Sequence, residues 1–366
     1  MIPFVNLKAQ YQSIKPEIDE AIQNVINDCA FIQGKYCQEF EKNFATVCGK
    51  PFAIGCSNGT TALELALRAY GVGIGDEVIV PSHTFIATSE VVSILGATPV
   101  FAEIEENTYT IDPRDIEKRI TSKTKAIIPV HLYGQAADMD AILEIAKKHN
   151  LAVIEDCAQA HLAEYKGKIV PVGETGCFSF FPGKNLGAYG DAGAVVTSSP
   201  IIAQKVFETL NHGREKSEKY KHAHIGTNYR MDGIQGAVLN VKLKHLPEWT
   251  EHRQKIAKLY NDGLGNNSNI KTPFEADYSK HVYHLYIIRT PKRDELLNKL
   301  RENEVECGVH YPIPLHLQPA YKNLGYKEGD FPITEKVCKE ILSLPICGSI
   351  DEESVQKVLS ILKNQI

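Results

Sequence analysis

The apolar positions of this chain follow two periods. Near the start, Ile14, Ile18, Ala21, Ile22, Val25 and Ile26 recur at helical spacing behind an arm-like opening segment. Short apolar runs then alternate with helical stretches. Strands are predicted at Phe52–Cys56, Glu77–Pro81, Pro99–Ile104, Ala126–Leu132 and Leu151–Glu155, with helices at about 60–70, 87–95 and 139–148. Cys177–Phe181 and Ala194–Thr197 are two more strands. The glycine-rich loop between them is short, which predicts an antiparallel element. A long helical stretch runs from about Asp232 past Trp249 to Tyr260, and Gly265–Asn269 marks a turn. Beyond it a strand at Val282–Arg289 and helices beginning near Arg293, Glu335 and Glu352 are predicted. This order predicts an α/β fold with a mostly parallel sheet and helices on both faces. A large domain with an N-terminal arm would span 1–250, and a smaller α+β domain 251–366.

Composition narrows the class. Hydrophobic residues make up 43% and charged residues 23%, as in ordinary globular chains, and the formal net charge is −5. Scattered basic residues argue against a nucleic-acid partner or a membrane-binding polybasic segment. No apolar run reaches the ~18 residues that a membrane span needs. The opening residues lack the charged and apolar regions of a signal peptide. The nine cysteines have neither CxxC nor Cys/His ligand spacing. They read as reduced thiols in a cytoplasmic protein, with no metal site.

Ligands of open α/β sheets bind beyond the carboxyl ends of the strands, so reactive side chains there carry the functional reading. After the first strand comes Cys56-Ser57-Asn58-Gly59-Thr60, running into a helix whose free N–H groups suit a phosphate. After Leu151–Glu155 come Asp156 and, three residues on, Gln159. A carboxylate there can keep a pyridinium nitrogen protonated, and an amide at that offset can reach a phenolate oxygen. Next is Phe178-Ser179-Phe180-Phe181-Pro182-Gly183-Lys184-Asn185. The Ser179 hydroxyl suits a phosphate, and Lys184 sits in a shaped loop where a cationic ring would make it nucleophilic. Each feature alone has an ordinary explanation: a helix cap, a strand-end carboxylate, a solvated lysine. Their succession at strand ends of one sheet points to pyridoxal 5'-phosphate (PLP).

The chain resembles the DegT/DnrJ/EryC1/StrS sugar aminotransferases, from Pro3-Phe4-Val5-Asn6-Leu7 to His310-Tyr311-Pro312-Ile313-Pro314-Leu315-His316. Between them lie Pro81-Ser82-His83-Thr84-Phe85-Ile86-Ala87-Thr88, Val130-His131-Leu132-Tyr133-Gly134 and Glu155-Asp156-Cys157-Ala158-Gln159-Ala160-His161. The resemblance implies the type I, aspartate aminotransferase-like PLP fold. It implies that Lys184 holds PLP as a Schiff base and later shuttles protons. Asp156 would pair with the pyridine nitrogen, and Gln159 would approach the ring hydroxyl. Gly59, Thr60 and Ser179 would hold the phosphate, and Phe85 would stack on the ring. Asn228 matches a residue that reaches the neighbouring subunit's phosphate, which implies a homodimer with shared sites.

By the same resemblance the amino donor is L-glutamate and the acceptor a keto sugar on a nucleoside diphosphate, commonly dTDP. Related dehydratases carry His in place of Lys184. The segment from Pro182 to Asp191 resembles the branch acting on 3-keto sugars, giving dTDP-3-amino-3,6-dideoxyhexose from a dTDP-3-keto-6-deoxyhexose. Tyr189, His310, Tyr311 and His316 are candidates for sugar and nucleotide contacts, while Arg230 is either structural or meets substrate phosphate. The alternatives are a 4-keto-sugar aminotransferase, a PLP-dependent sugar dehydratase and a non-catalytic PLP-binding regulator.

Overall fold

In the computed structural model the described residues are 1–215, 218, 220–265 and 267–363. Seven strands form the main sheet: β1 (Phe52–Cys56), β2 (Glu77–Pro81), β3 (Thr98–Ala102), β4 (Thr124–Ile127), β5 (Ala152–Asp156), β6 (Thr175–Ser179) and β7 (Gly193–Thr197). Their order across the sheet is β1-β7-β6-β5-β4-β2-β3. Strand β7 is antiparallel to both of its neighbours, and the other pairs are parallel. Six carboxyl ends therefore open onto one edge of the sheet, which collects Ser57, Ser82, Cys157 and Phe180 just past their strands.

The strands are apolar because helices cover both faces. Side chains alternate along β6 and its extension. Phe178 and Phe180 point to one face and are fully buried against Phe40 and Phe44 of the helix Lys35–Val47. Their ring centroids lie 4.9–5.4 Å apart in edge-on and stacked pairs. Ser179, between them, belongs to the opposite face. Removal of one such phenylalanine costs about 3–5 kcal/mol, so this cluster sets the height of the strand end that carries the site.

Several boundaries differ from expectation. Strand β6 begins at Thr175, two residues before the predicted Cys177, because Thr175 and Gly176 already pair with β5 and β7. The run after β4 leaves the ladder: Leu132–Gly134 is a single 3₁₀ turn. The helices Lys35–Val47, Pro113–Arg119 and Pro200–Thr209 were not anticipated. The turn expected at Gly265–Asn269 includes Asn266, which lies outside the described residues. The early helical period is realised as Leu7–Ser13 and Lys15–Asn27, with Ile18 and Val25 buried.

The long helix Gly233–Leu264 runs from the sheet to a second core, where Ile256 and Tyr260 pack with Tyr286, Leu344 and Val358. Here β8 (Tyr286–Arg289) pairs antiparallel with β9 (Ile341–Leu344), beside the helices Arg293–Glu302 and Glu352–Lys363. The N-terminal arm is held by this part of the chain. Ile2 exchanges hydrogen bonds with Glu304 and Glu306 at 2.8 and 2.9 Å, and the Phe4 ring stacks on His310 at 5.5 Å. Among the described residues no helix is long and apolar enough to cross a membrane.

Candidate active site

A cavity of about 660 Å³ lies beyond the carboxyl ends of β1, β5 and β6. Its wall includes Gly59, Thr60, Phe85, Asp156, Gln159, Ser179, Lys184, His310 and Tyr311. Nine of the residues singled out from the sequence thus meet in one place, although they span 253 positions (59 to 311).

One end is built from the first turn of the helix Gly59–Ala69. Asn58 caps it: its Oδ1 accepts from the Thr61 N–H at 2.8 Å, and Thr61 Oγ1 accepts from the Asn58 N–H at 3.1 Å. The Gly59 and Thr60 N–H groups have no intrahelical acceptor. A Cβ on Gly59 would lie 2.5 Å from Ser179 Cβ, so glycine is what lets the strand end and the helix start close into a cradle. Ser179 Oγ accepts from the Phe181 N–H at 3.4 Å, and its own hydrogen remains for a ligand. Backbone N–H groups, a hydroxyl and the positive helix terminus suit a phosphate. Gly59→Ala is expected to force the cradle open by roughly 1 Å, since non-bonded carbon atoms pack no closer than ~3.5 Å. PLP affinity should fall about tenfold, in line with overpacking costs of ~1–3 kcal/mol. Titration of the cofactor-free protein by absorbance would measure this, and an unchanged affinity would show that the cradle does not hold the phosphate.

Asp156 ends β5 and is buried. Its Oδ2 accepts from Thr88 Oγ1 at 2.9 Å and its Oδ1 from the Ala158 N–H at 3.1 Å. Burial pushes its pKa up, while those two donors, Lys184 and His131 oppose the rise. Lys184 has the reverse problem. Burial lowers its pKa to about 8, the Asp156 charge opposes this, and its ammonium makes no hydrogen bond or ion pair among the described residues. A carboxylate and an amine held apart in one cavity, each at an electrostatic disadvantage, fit a group that is cationic toward Asp156 and electrophilic toward Lys184.

Gln159 is oriented by the backbone. Its Oε1 accepts from the Tyr133 N–H at 2.7 Å, so its amide nitrogen is the donor to Tyr311 Oη at 3.1 Å. Tyr133, with φ of 60°, is itself clamped: its hydroxyl donates to the His310 carbonyl and receives from His83 Nε2 at 2.7 Å. Phe85 is half-exposed in the wall, 5.6 Å from the Tyr311 ring. His310 bonds Ser343 Oγ at 2.8 Å, and burial lowers its pKa to about 4.

Four expected residues stand elsewhere. His316 is buried between Ser82 Oγ at 2.6 Å and Glu335 Oε1 at 3.1 Å, so both ring nitrogens are used inside the protein and the expected substrate contact is not made from this rotamer. Arg230 donates to Asn211 Oδ1 at 3.0 Å, leaving its buried Nε without a partner. Asn228 is exposed outside this cavity. Tyr189 lies beyond the wall, with the Lys242 ammonium 4.5 Å from its ring. Conversely, sequence reasoning gave no individual role to Phe4, Thr88 and His284, although Phe4 and Thr88 stand in the quoted motifs. Thr88 had a signal, since it follows the quoted Thr84-Phe85 by one helical turn. His284 had none.

A model of the DegT/DnrJ/EryC1/StrS aminotransferase family matches residues 12–363. The chain belongs to this family. It is a PLP-dependent aminotransferase of that family, with the type I fold expected from its sequence. A relative from Geobacillus stearothermophilus, named pleiotropic regulatory protein, is 47% identical over 98% of this chain and 96% of its own length. The dTDP-3-amino-3,4,6-trideoxy-alpha-D-glucose transaminase of Streptomyces venezuelae is 43% identical over 99% of this chain and 95% of its own. Among solved structures, S. venezuelae DesV in complex with a ketimine intermediate superposes with a TM-score of 0.97 at 43% identity, covering 99% of this chain and 98% of its own. Bacillus subtilis NtdA with bound cofactor PMP gives 0.92 at 33% identity, covering 99% and 84%.

Proposed function

We propose that this aminotransferase moves an amino group from L-glutamate to a nucleotide-linked keto sugar, converting a dTDP-3-keto-6-deoxyhexose to the dTDP-3-amino-3,6-dideoxyhexose. The observation that carries the reading is the unpaired, depressed amine of Lys184 sharing a cavity with the buried carboxylate of Asp156. The dTDP-sugar transaminase from S. venezuelae, alike over nearly its whole length, supports the acceptor class.

Each residue has a task in this reading. Gly59, Thr60 and Ser179 hold the phosphate of PLP, Asp156 keeps a proton on its ring nitrogen, Gln159 donates to its phenolic oxygen and Phe85 covers its face. The bound ring supplies an electron sink. Lys184 is the covalent anchor and then, as a free amine whose pKa burial lowers to about 8, carries a proton between reacting atoms. Its identity as lysine favours amino transfer over dehydration. His310 and Tyr311, which belong to the same cavity wall, contact the sugar in this reading. Exposed Asn228 serves the phosphate of a second copy, so the working unit is a homodimer, with Tyr189 as a substrate contact and Arg230 either structural or turned to substrate phosphate.

The test is incubation with L-glutamate and a panel of dTDP-linked 3-keto and 4-keto sugars. Release of 2-oxoglutarate and an amine at C3, located by NMR, is the expected result. Amination at C4 would move the enzyme to the other branch. Loss of a hydroxyl without transfer of nitrogen would make it a dehydratase, and no reaction with any sugar would favour a regulator.

A further inference from the structure

One side chain in the cavity wall has a lone pair that no protein group uses. Asn185 follows Lys184 and is buried. Its Nδ2 donates to the Val282 carbonyl at 3.1 Å. A carbonyl only accepts, so the amide has one orientation and Oδ1 is left as an acceptor. That oxygen lies 3.2 Å from Nδ1 of His284, so Nδ1 carries the proton. In a neutral imidazole Nε2 is then a bare acceptor.

The ring is neutral. Burial holds its pKa well below the usual histidine value, and the Lys184 and Arg253 cations act in the same direction, with His161 and His310 adding to them. The mounting is rigid as well. Arg253 Nη1 donates to the carbonyls of Tyr283, His284 and Ile346 at 3.2, 3.3 and 3.1 Å, and Tyr283 holds a left-handed φ of 45°. His284 lines the cavity together with Lys184, His310 and Tyr311, and among the described residues Nε2 has no hydrogen-bond partner.

We propose that His284 Nε2 accepts a hydrogen bond from a sugar hydroxyl on a carbon next to the one that takes the amine, and that it thereby selects sugars bearing that hydroxyl. This rests on the nucleotide-sugar reading given above. The reacting carbon must lie beside Lys184, and its neighbours are one bond away, within the same cavity. A neutral hydroxyl fits better than an ammonium, because Lys184 and Arg253 already make the surroundings cationic. The ring is an acceptor here and not a base, since everything around it resists its protonation.

The enzyme with bound PLP is assayed with a dTDP-3-keto-6-deoxyhexose and with its 2-deoxy and 4-deoxy counterparts. One of the two deoxy sugars should lose on the order of tenfold to a hundredfold in kcat/KM, the cost of leaving a partly buried acceptor unpaired. His284→Phe should erase that difference by lowering only the hydroxylated sugar, and His284→Gln, which keeps an acceptor, should restore part of it. Calorimetry with the matching aminosugar products should show the same pattern in Kd. Imidazole ¹⁵N NMR on the wild-type holoenzyme needs no variant: Nδ1 should be protonated and Nε2 bare, with the Nε2 signal moving only when the hydroxylated product binds. A protonated Nε2, equal handling of all three sugars, or discrimination that survives His284→Phe overturns the assignment while leaving the transaminase reading intact. Turnover of none of the sugars by the wild type overturns both.

Discussion

Lys184→Ala is expected to bring amino transfer to background, a loss of at least about a thousandfold. The site offers no substitute: among the wall residues Lys184 is the only lysine, and the buried Lys242 spends its ammonium on the Gly187 carbonyl at 2.7 Å. The fold should survive. Burial already disfavours the Lys184 charge, so its removal relieves a desolvation cost and leaves a space next to an existing cavity. PLP should still bind through its phosphate, but without a covalent link. Borohydride reduction followed by peptide mapping checks this. The wild type should carry the label on the peptide containing Lys184 and the variant on none, and label on another lysine would sink the assignment. Lys184→Arg should be as inactive as Lys184→Ala, because a guanidinium keeps the charge and loses the nucleophile.

Asp156→Asn is the second large effect. The amide keeps the shape and can still meet Thr88 and the Ala158 N–H. What it lacks is the charge that would hold a proton on the ring nitrogen. One charge-assisted hydrogen bond amounts to about 1.5–3 kcal/mol, and the developing charge of the reaction adds to it. Turnover should fall by at least about a hundredfold with PLP still bound. Stability should move the other way. The carboxyl pKa is raised in the folded protein, so the folded state binds more protons than the unfolded one as pH rises above 3.8, and ionised Asp156 weakens the cofactor-free fold at neutral pH. Cofactor-free Asp156→Asn should therefore melt at or above the wild-type temperature at pH 7, while the gap closes in acid. Near wild-type turnover would refute the role given to Asp156.

The sheet was legible because strands buried on both faces read as plain apolar runs between glycines, prolines and polar turns. The register of β6 was not, since the apolar run Cys177–Phe181 overruns the ladder, and pairing, which starts at Thr175, is decided by its neighbours. The core of the site was legible because Gly59, Asp156, Ser179 and Lys184 each follow or end a strand. His284 was not, because it gains meaning only from Asn185, 99 positions earlier. For His316 the resemblance suggested a substrate contact, whereas a histidine at a proline turn is ordinarily structural, and only the fold brings Ser82 and Glu335 to its two nitrogens.

The arm held by the second core has a consequence for biogenesis. Ile2 and Phe4 are made some 300 residues ahead of their partners Glu304, Glu306 and His310. At ~5–20 residues per second that interval is on the order of 15–60 s. Throughout it Phe4 has no ring to stack on, and Gln159 lacks the hydroxyl of Tyr311. The phosphate cradle, complete once Ser179 has emerged, can form far earlier than the rest of the wall. A nascent chain thus presents the residues assigned to PLP before the wall assigned to the sugar exists, and the cavity is enclosed only when the last third of the chain has closed over it.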